Sequence, residues 1–182
     1  MIATKYPLLW RYLHWLIAAL VFVMLPIGFW MMRRGDANIW DTLTNVLYST
    51  HKSIGFLIIW LMLARLIFKL TVSAPSYPPQ MPALIRKFAH STHYLMYLLL
   101  FAIPLIGWAG VTAYPALNIA WGISLPALPL IPESESLAKY LFNIHGWLAI
   151  AFCFLIAAHI AGALKHKYID KDGVFDRMSL KK

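Results

Sequence analysis

The sequence predicts an all-α protein, an integral membrane four-helix bundle with both termini in the cytoplasm. Three observations carry this reading. The chain of 182 residues is 61% hydrophobic and only 13% charged, about half the share of charge in soluble domains. Four apolar runs, at about 9–31, 46–68, 88–112 and 139–164, each have the ~20 residues a helix needs to cross a bilayer. The lysines and arginines also segregate, with twelve of the sixteen on one side of a four-span path.

The first span follows Lys5 and Arg11 and so invites comparison with a secretory leader. Its apolar run, Leu13 to Met32, exceeds the ~7–15 residues of a leader's apolar region. Met31, Met32, Arg33 and Arg34 stand where a cleavage site would be, so the span reads as a retained helix. The connector after span two, "SAPSYPPQMP", is proline-rich and reads as extended. The connection between spans three and four, about 113–138, carries Pro115, Pro126, Pro129 and Pro132. It is longer than most loops and is expected to cover something. No internal repeat or soluble domain is visible, so residues 1–182 read as one transmembrane domain.

Orientation follows from the basic residues. Lys5 and Arg11, then Arg65, Lys69, Arg86 and Lys87, then Lys165, Lys167, Lys171, Arg177, Lys181 and Lys182 share one side. Arg33, Arg34, Lys52 and Lys139 have the other. The positive-inside rule places the richer side in the cytoplasm. Trp10 and Trp15 near one boundary, with Trp30, Trp40, Trp108 and Trp121 near the other, fit interfacial belts. Topology therefore accounts for most of the net charge of +9. No folded basic domain with base-reading residues is present, which excludes a nucleic-acid partner.

Cys153 is alone and lies inside an apolar run. One cysteine allows no internal disulfide, no all-cysteine iron–sulfur site and no CxxCH attachment, so any haem is held non-covalently.

Seven histidines remain: His14, His51, His90, His93, His145, His159 and His166. His145 and His159 are fourteen residues apart with no charged side chain between them. Fourteen residues rise about 21 Å and return to within ~40° of the starting direction, so the two share one face of span four. His14 matches His159 in depth near the inner end, and His51 matches His145 near the outer end. Three of the four helices thus present two histidine pairs, one per leaflet, which suits two haems each clasped by two neutral imidazoles in a bundle core. Interhelical hydrogen bonds, worth ~1 kcal/mol, account for any single membrane histidine. They account less well for four at matched depths, where ionisable residues are costly and mark function. Gly55, one turn from His51, and Gly146, beside His145, leave room for a flat ligand, as does Gly162 near His159. Small residues also serve plain helix contact.

The segments "RYLHWLIAAL", "STHKSIGFLIIWLMLARLIFKL", "FAHSTHYLMYLLLFAIPLIGW", "AWGISLP" and "NIHGWLAIAFCFLIAAHIAGALKHKY" span nearly the whole chain. In their order and spacing they resemble the bacterial cytochrome b-561 family of four-helix di-haem proteins. The resemblance implies two non-covalent haem b groups in the bacterial cytoplasmic membrane. Its axial ligands fall on His14 and His159 for the inner iron and on His51 and His145 for the outer iron. At least one member of that family oxidises superoxide on the periplasmic side and passes the electron to ubiquinone. Related bundles are haem-bearing anchors of formate dehydrogenases and nickel hydrogenases.

An iron with two protein imidazoles has no open position, so the expected activity is electron transfer rather than oxygen activation. Ubiquinone or another quinone is the natural membrane partner. "AHSTH" places His90 and His93 on one helix face at the inner boundary, where histidines can deliver protons. His93, the deeper, is the preferred participant. On the outer side Arg33, Arg34, Lys52 and Lys139 are balanced by Asp36, Asp41, Glu133 and Glu135. No global field draws in an anion, but Lys52 with Arg33 or Arg34 offers a local patch at the outer haem edge. Two other readings stay open: a haem-bearing anchor for a separate catalytic subunit, and a histidine-lined transporter of metal or protons. All seven acidic residues lie outside the four spans, which counts against the transporter. A homodimer is open, though no motif argues for one.

Overall fold

The computed structural model describes residues 5–78 and 81–181; Pro79 and Gln80 of the proline-rich connector and Lys182 of the basic tail lie outside the described residues. Four long helices run in sequence: α1 (Leu8–Asp36), α2 (Thr42–Thr71), α3 (Ala83–Ala113) and α4 (Glu135–Lys165). All four are long and apolar enough to cross a membrane, and the fold is the all-α membrane bundle that the sequence predicts.

Each helix outruns its apolar stretch by several residues, because the run marks the hydrocarbon crossing while local chemistry sets the helix end. Asp41 caps α2 by accepting the Thr44 N–H at 2.9 Å, and Ser134 caps α4 by accepting the Leu137 N–H at 3.3 Å. Such side-chain acceptors satisfy amides that the first turn leaves without a partner. α1 and α3 start after Pro7 and Pro82 instead, whose fixed φ suits a helix entrance. Arg33 and Arg34 fill the last turn of α1, where the helix dipole favours cations. Pro26 and Pro104 lie inside α1 and α3 without ending them.

Packing is pairwise. α1 lies against α2, α3 against α4, and α2 joins the two hairpins through α3, while α1 and α4 make no comparably close approach. The buried core is a mid-depth cluster of Ile17, Val21, Ile58, Met62, Ile103 and Phe152. Met62 is 0% exposed and Phe152 4%. Phe152 is seven residues from both His145 and His159, two turns each way along one face. Lipid tails are as apolar as these side chains, so close packing rather than transfer from water holds this centre together.

The ends are closed by chain segments. After α4 a π-turn, His166–Asp170, leads into a short 3-10 turn, Phe175–Met178. This tail crosses the start of α1: the Tyr6 N–H donates to Arg177 O at 3.1 Å, and Trp15 Nε1 donates to Met178 O at 2.8 Å. Arg177 Nη1 donates to Ser76 O of the α2–α3 connector at 2.6 Å. The start of α1, that connector and the C-terminal tail therefore meet at one end of the bundle. At the opposite end the α3–α4 loop folds down onto α2, where Ser53 Oγ accepts the Ala120 N–H at 3.0 Å. The sequence expectation that this loop covers something is met two residues from His51.

Candidate functional site

Imidazoles gather at two depths. At the end shared with the tail, His159 of α4 faces His14 of α1, with ring centroids 6.3 Å apart and planes at 75°. His93 of α3 also lies against His159 at 5.6 Å and 66°. At the loop end, His51 of α2 faces His145 of α4 at 5.9 Å and 70°. The depth matching read from the sequence thus brings the expected rings together and adds His93 as a third member of one group.

Three partners around these rings were not singled out from the sequence. Arg65 of α2 donates from Nη1 to His14 Nδ1 at 2.8 Å and from Nε to the Tyr97 hydroxyl at 3.1 Å. No carboxylate pairs with Arg65 among the described residues. A membrane-level cation without an anion is costly, and its place inside α2 was the available signal. The second partner is Gly107 of α3. A Cβ there would sit 3.0 Å from His145 Nδ1 and 3.1 Å from its Cε1. The third is Gly28 of α1, whose Cβ would lie 3.1 Å from His51 Cε1.

The glycines singled out from the sequence behave differently. Gly55 is buried, and a Cβ there would make ordinary contact with Met24 at 3.7 Å. Gly146 and Gly162 face open space, with nothing within 4 Å of an added Cβ.

His90 turns away from His93 and rests against Tyr77 of the connector at 5.0 Å. It lines a surface groove of about 510 Å³ with Lys69, Ser91, Tyr94 and Leu95. His166 lies apart from both imidazole groups, with Nδ1 2.8 Å from Asp172 Oδ2. Lys52, next to His51, donates from Nζ to Ala116 O at 2.8 Å. Arg34 is not part of a patch with Lys52, because it pairs with Asp41 and donates to Thr44 Oγ1 at 2.7 Å. Lys139 is likewise tied to Glu135 at 2.7 Å.

Such a bundle, membrane-spanning and lined with imidazoles at two levels, is the class of protein that holds flat redox cofactors between helices. The profile of the family described as prokaryotic cytochrome b561 matches residues 5–180. Cytochrome b561 homolog 2 of Escherichia coli (strain K12) is 31% identical over 176 residues, covering 96% of this chain and 90% of that protein. Cytochrome b561 homolog 1 of the same organism is 32% identical over 171 residues, covering 92% of each. A protein of Yersinia pestis described as probable superoxide oxidase CybB is 32% identical over 180 residues, covering 98% of this chain and 97% of its own length. The chain belongs to the prokaryotic cytochrome b561 family. It is accordingly a multi-pass electron-transfer protein of the bacterial inner membrane, in a family whose cofactor is haem b.

The residues present fit that cofactor. Metal–imidazole bonds of about 2 Å on both sides of an iron put the ring centroids about 6 Å apart, and the facing pairs stand at 6.3 and 5.9 Å. His145 Nδ1 donates to Ile103 O at 2.9 Å, which leaves the Nε2 lone pair for a metal. His51 Nδ1 is buried with no hydrogen-bond partner. Haem b also carries carboxylates, which suit the cation at Arg65.

Proposed function

We propose that this protein is a di-haem electron-transfer protein that passes electrons from a periplasmic one-electron donor, superoxide, to a membrane quinone. The observation that carries the proposal is the pair of facing imidazoles at each of two depths, separated by a packed apolar centre. In this reading His14 and His159 hold the inner haem, and His51 and His145 the outer one. Bound there, the haems would supply reversible one-electron transfer.

The chain's own residues do the rest. Ile17, Met62 and Phe152 fill the space between the two levels with apolar atoms, which keeps water and protons from following the electron. Lys52 brings an ammonium beside His51 with only a carbonyl as partner, so it attracts a small anion to the outer end. At the inner end His90 and His93 of α3 would supply the protons that reduction of a quinone requires. His90, Lys69 and Tyr94 line the groove open to the quinone headgroup. Arg65 supplies positive charge against His14 and keeps an anionic cofactor edge at that end. The basic end, with the start of α1, the α2–α3 connector and the tail, faces the cytoplasm, and the chain acts as one transmembrane domain.

Haem content tests the proposal directly. Detergent-purified protein should contain two b-type haems per chain. Superoxide should reduce the ferric protein rapidly, and an added quinone should reoxidise it. A folded preparation without haem would overturn the proposal; haem without reduction by superoxide would remove the donor. A second reading, an anchor for a separate catalytic subunit, is favoured by Trp121 and Leu130, which the outer loop displays at 89% and 99% exposure. That reading requires co-purification with the subunit.

A further inference from the structure

We infer that Gly28 and Gly107 are positioning residues for the outer histidine pair, each setting the plane of one imidazole. The inference rests on the proposed ligand role of His51 and His145.

The two sites are built alike on two different helix hairpins. In the α3–α4 hairpin, the His145 ring lies flat against the α3 backbone at Gly107. A Cβ there would meet Nδ1 at 3.0 Å and Cε1 at 3.1 Å, closer than side-chain packing ordinarily allows. The same Nδ1 donates to the carbonyl of Ile103, one turn earlier on α3, at 2.9 Å. Any atom added at Gly107 therefore pushes the ring off the carbonyl that fixes its tautomer. In the α1–α2 hairpin, the His51 ring lies against α1 at Gly28, where a Cβ would meet Cε1 at 3.1 Å and Nδ1 at 3.4 Å. Here the Met24 backbone, one turn earlier on α1, borders the same ring, but Nδ1 makes no well-formed hydrogen bond, so contact with the bare backbone at Gly28 does most to set the ring.

Both glycines follow a proline within their helix, Pro26 before Gly28 and Pro104 before Gly107. The inner histidines have no counterpart: the described glycines bring no Cβ position within 4 Å of His14, His93 or His159. The device belongs to the outer pair.

The orientation of an axial imidazole, and the basicity its Nδ1–H partner confers, tune the metal it binds. Moving the ring by a few tenths of an ångström should therefore change the outer haem's spectrum and potential without removing the haem. Gly107→Ala disturbs both orientation and the well-formed bond to Ile103 O, whereas Gly28→Ala disturbs chiefly orientation.

Gly110→Ala separates positioning from general packing. Gly110 lies one turn from Gly107 at the same helix contact, but its Cβ would strike the Phe142 ring at 2.5 Å rather than a histidine. The experiment is low-temperature electron paramagnetic resonance of the ferric protein with a redox titration, on wild type and the three variants. Gly107→Ala and Gly28→Ala are expected to shift the outer low-spin signal and its midpoint while the inner signal stays in place. Gly110→Ala is expected to lower thermal stability and leave both signals unmoved. The inference is overturned if both ring-facing variants match wild type, or if Gly110→Ala shifts the outer signal as far as they do. Should Gly107→Ala fail to fold, Gly28→Ala decides alone. A wild type without two haems would instead refute the proposed function.

Discussion

Removing the positive charge of Arg65 should lower the midpoint potential of the inner haem and leave the outer one nearly unchanged. The guanidinium is 2.8 Å from His14 Nδ1. Crossing the ring and one metal–ligand bond would place it within about 7 Å of an iron bound at the far nitrogen. At an effective dielectric of about 20, a unit charge at that distance contributes about 2 kcal/mol, or about 100 mV for one electron. The sign follows from electrostatics: a nearby cation favours the reduced, less positive site, so its loss favours oxidation. The donor at Nδ1 requires a lone pair there, so an unligated His14 carries its proton on Nε2. Ligation through Nε2 as a neutral imidazole would move the proton to Nδ1 and turn Arg65 toward another acceptor at that end, a cofactor carboxylate, where its charge still acts in the same sense. Arg65→Gln keeps a polar group of similar reach while removing the charge. The assay is a spectroelectrochemical titration resolving two one-electron components. A drop of about 100 mV in one component is expected, and it should be the component that His159→Ala deletes. A change under about 20 mV, or an equal shift in both components, would refute the placement of Arg65 beside an inner ligand.

His159→Ala should remove the inner haem and spare the outer one, read as half the haem per chain by pyridine haemochrome; equal loss of both would point to misfolding. Lys52→Glu should slow reduction by superoxide by roughly tenfold at low ionic strength, with the difference shrinking in salt as screening sets in; a rate unchanged in stopped-flow would exclude Lys52 from the donor's path. Asp41 provides a pH test outside the membrane. Its bond from the Thr44 amide and then the Arg34 side chain hold its pKa at about 2, below the ordinary 3.8. Because the folded value is the lower one, the cap's contribution is complete above about pH 4 and is lost as the pH falls towards 2. Exchange of the Thr44 amide should accelerate over that window, and Asp41→Asn should flatten the dependence.

The parts of this molecule that were legible in the sequence are those with one-dimensional signatures. Apolar length gave the four helices, because a bilayer imposes that length directly. The fourteen-residue spacing on α4 gave the face and depths of His145 and His159, because helical rise and twist are fixed. His14 and His51 then followed from depth alone, and the structure brings their rings to 6.3 and 5.9 Å of those partners. Helix ends were less legible. Asp41 and Ser134 are cap residues by type, but an apolar count stops before them. The glycines were the harder case. Gly55 and Gly146 stand near a histidine along their own helix, yet the glycines that touch imidazoles are on the facing helices. Which helix faces which is a property of packing, and spacing along one chain segment does not contain it.

Arg65 shows the same limit from the side of charge. Counted with the loops, it is one of twelve basic residues that orient the chain. In the folded bundle it reaches His14 on another helix and Tyr97 on a third. An arginine bound only to neutral partners at membrane depth would be a liability in an empty bundle, where leaving a charge without a counter-ion costs several kcal/mol. The same arginine becomes an asset once an anionic cofactor edge arrives. The inner end is thus built to gain more from the cofactor than the outer end, where Lys52 is satisfied by a carbonyl and the rings rest on glycine. When haem is limiting, the inner site should therefore fill first, and Arg65→Gln should abolish that order. Titrating the apo-protein with haem and following the two spectral components would show this directly. Equal filling of both sites in wild type would mean that Arg65 contributes orientation rather than affinity.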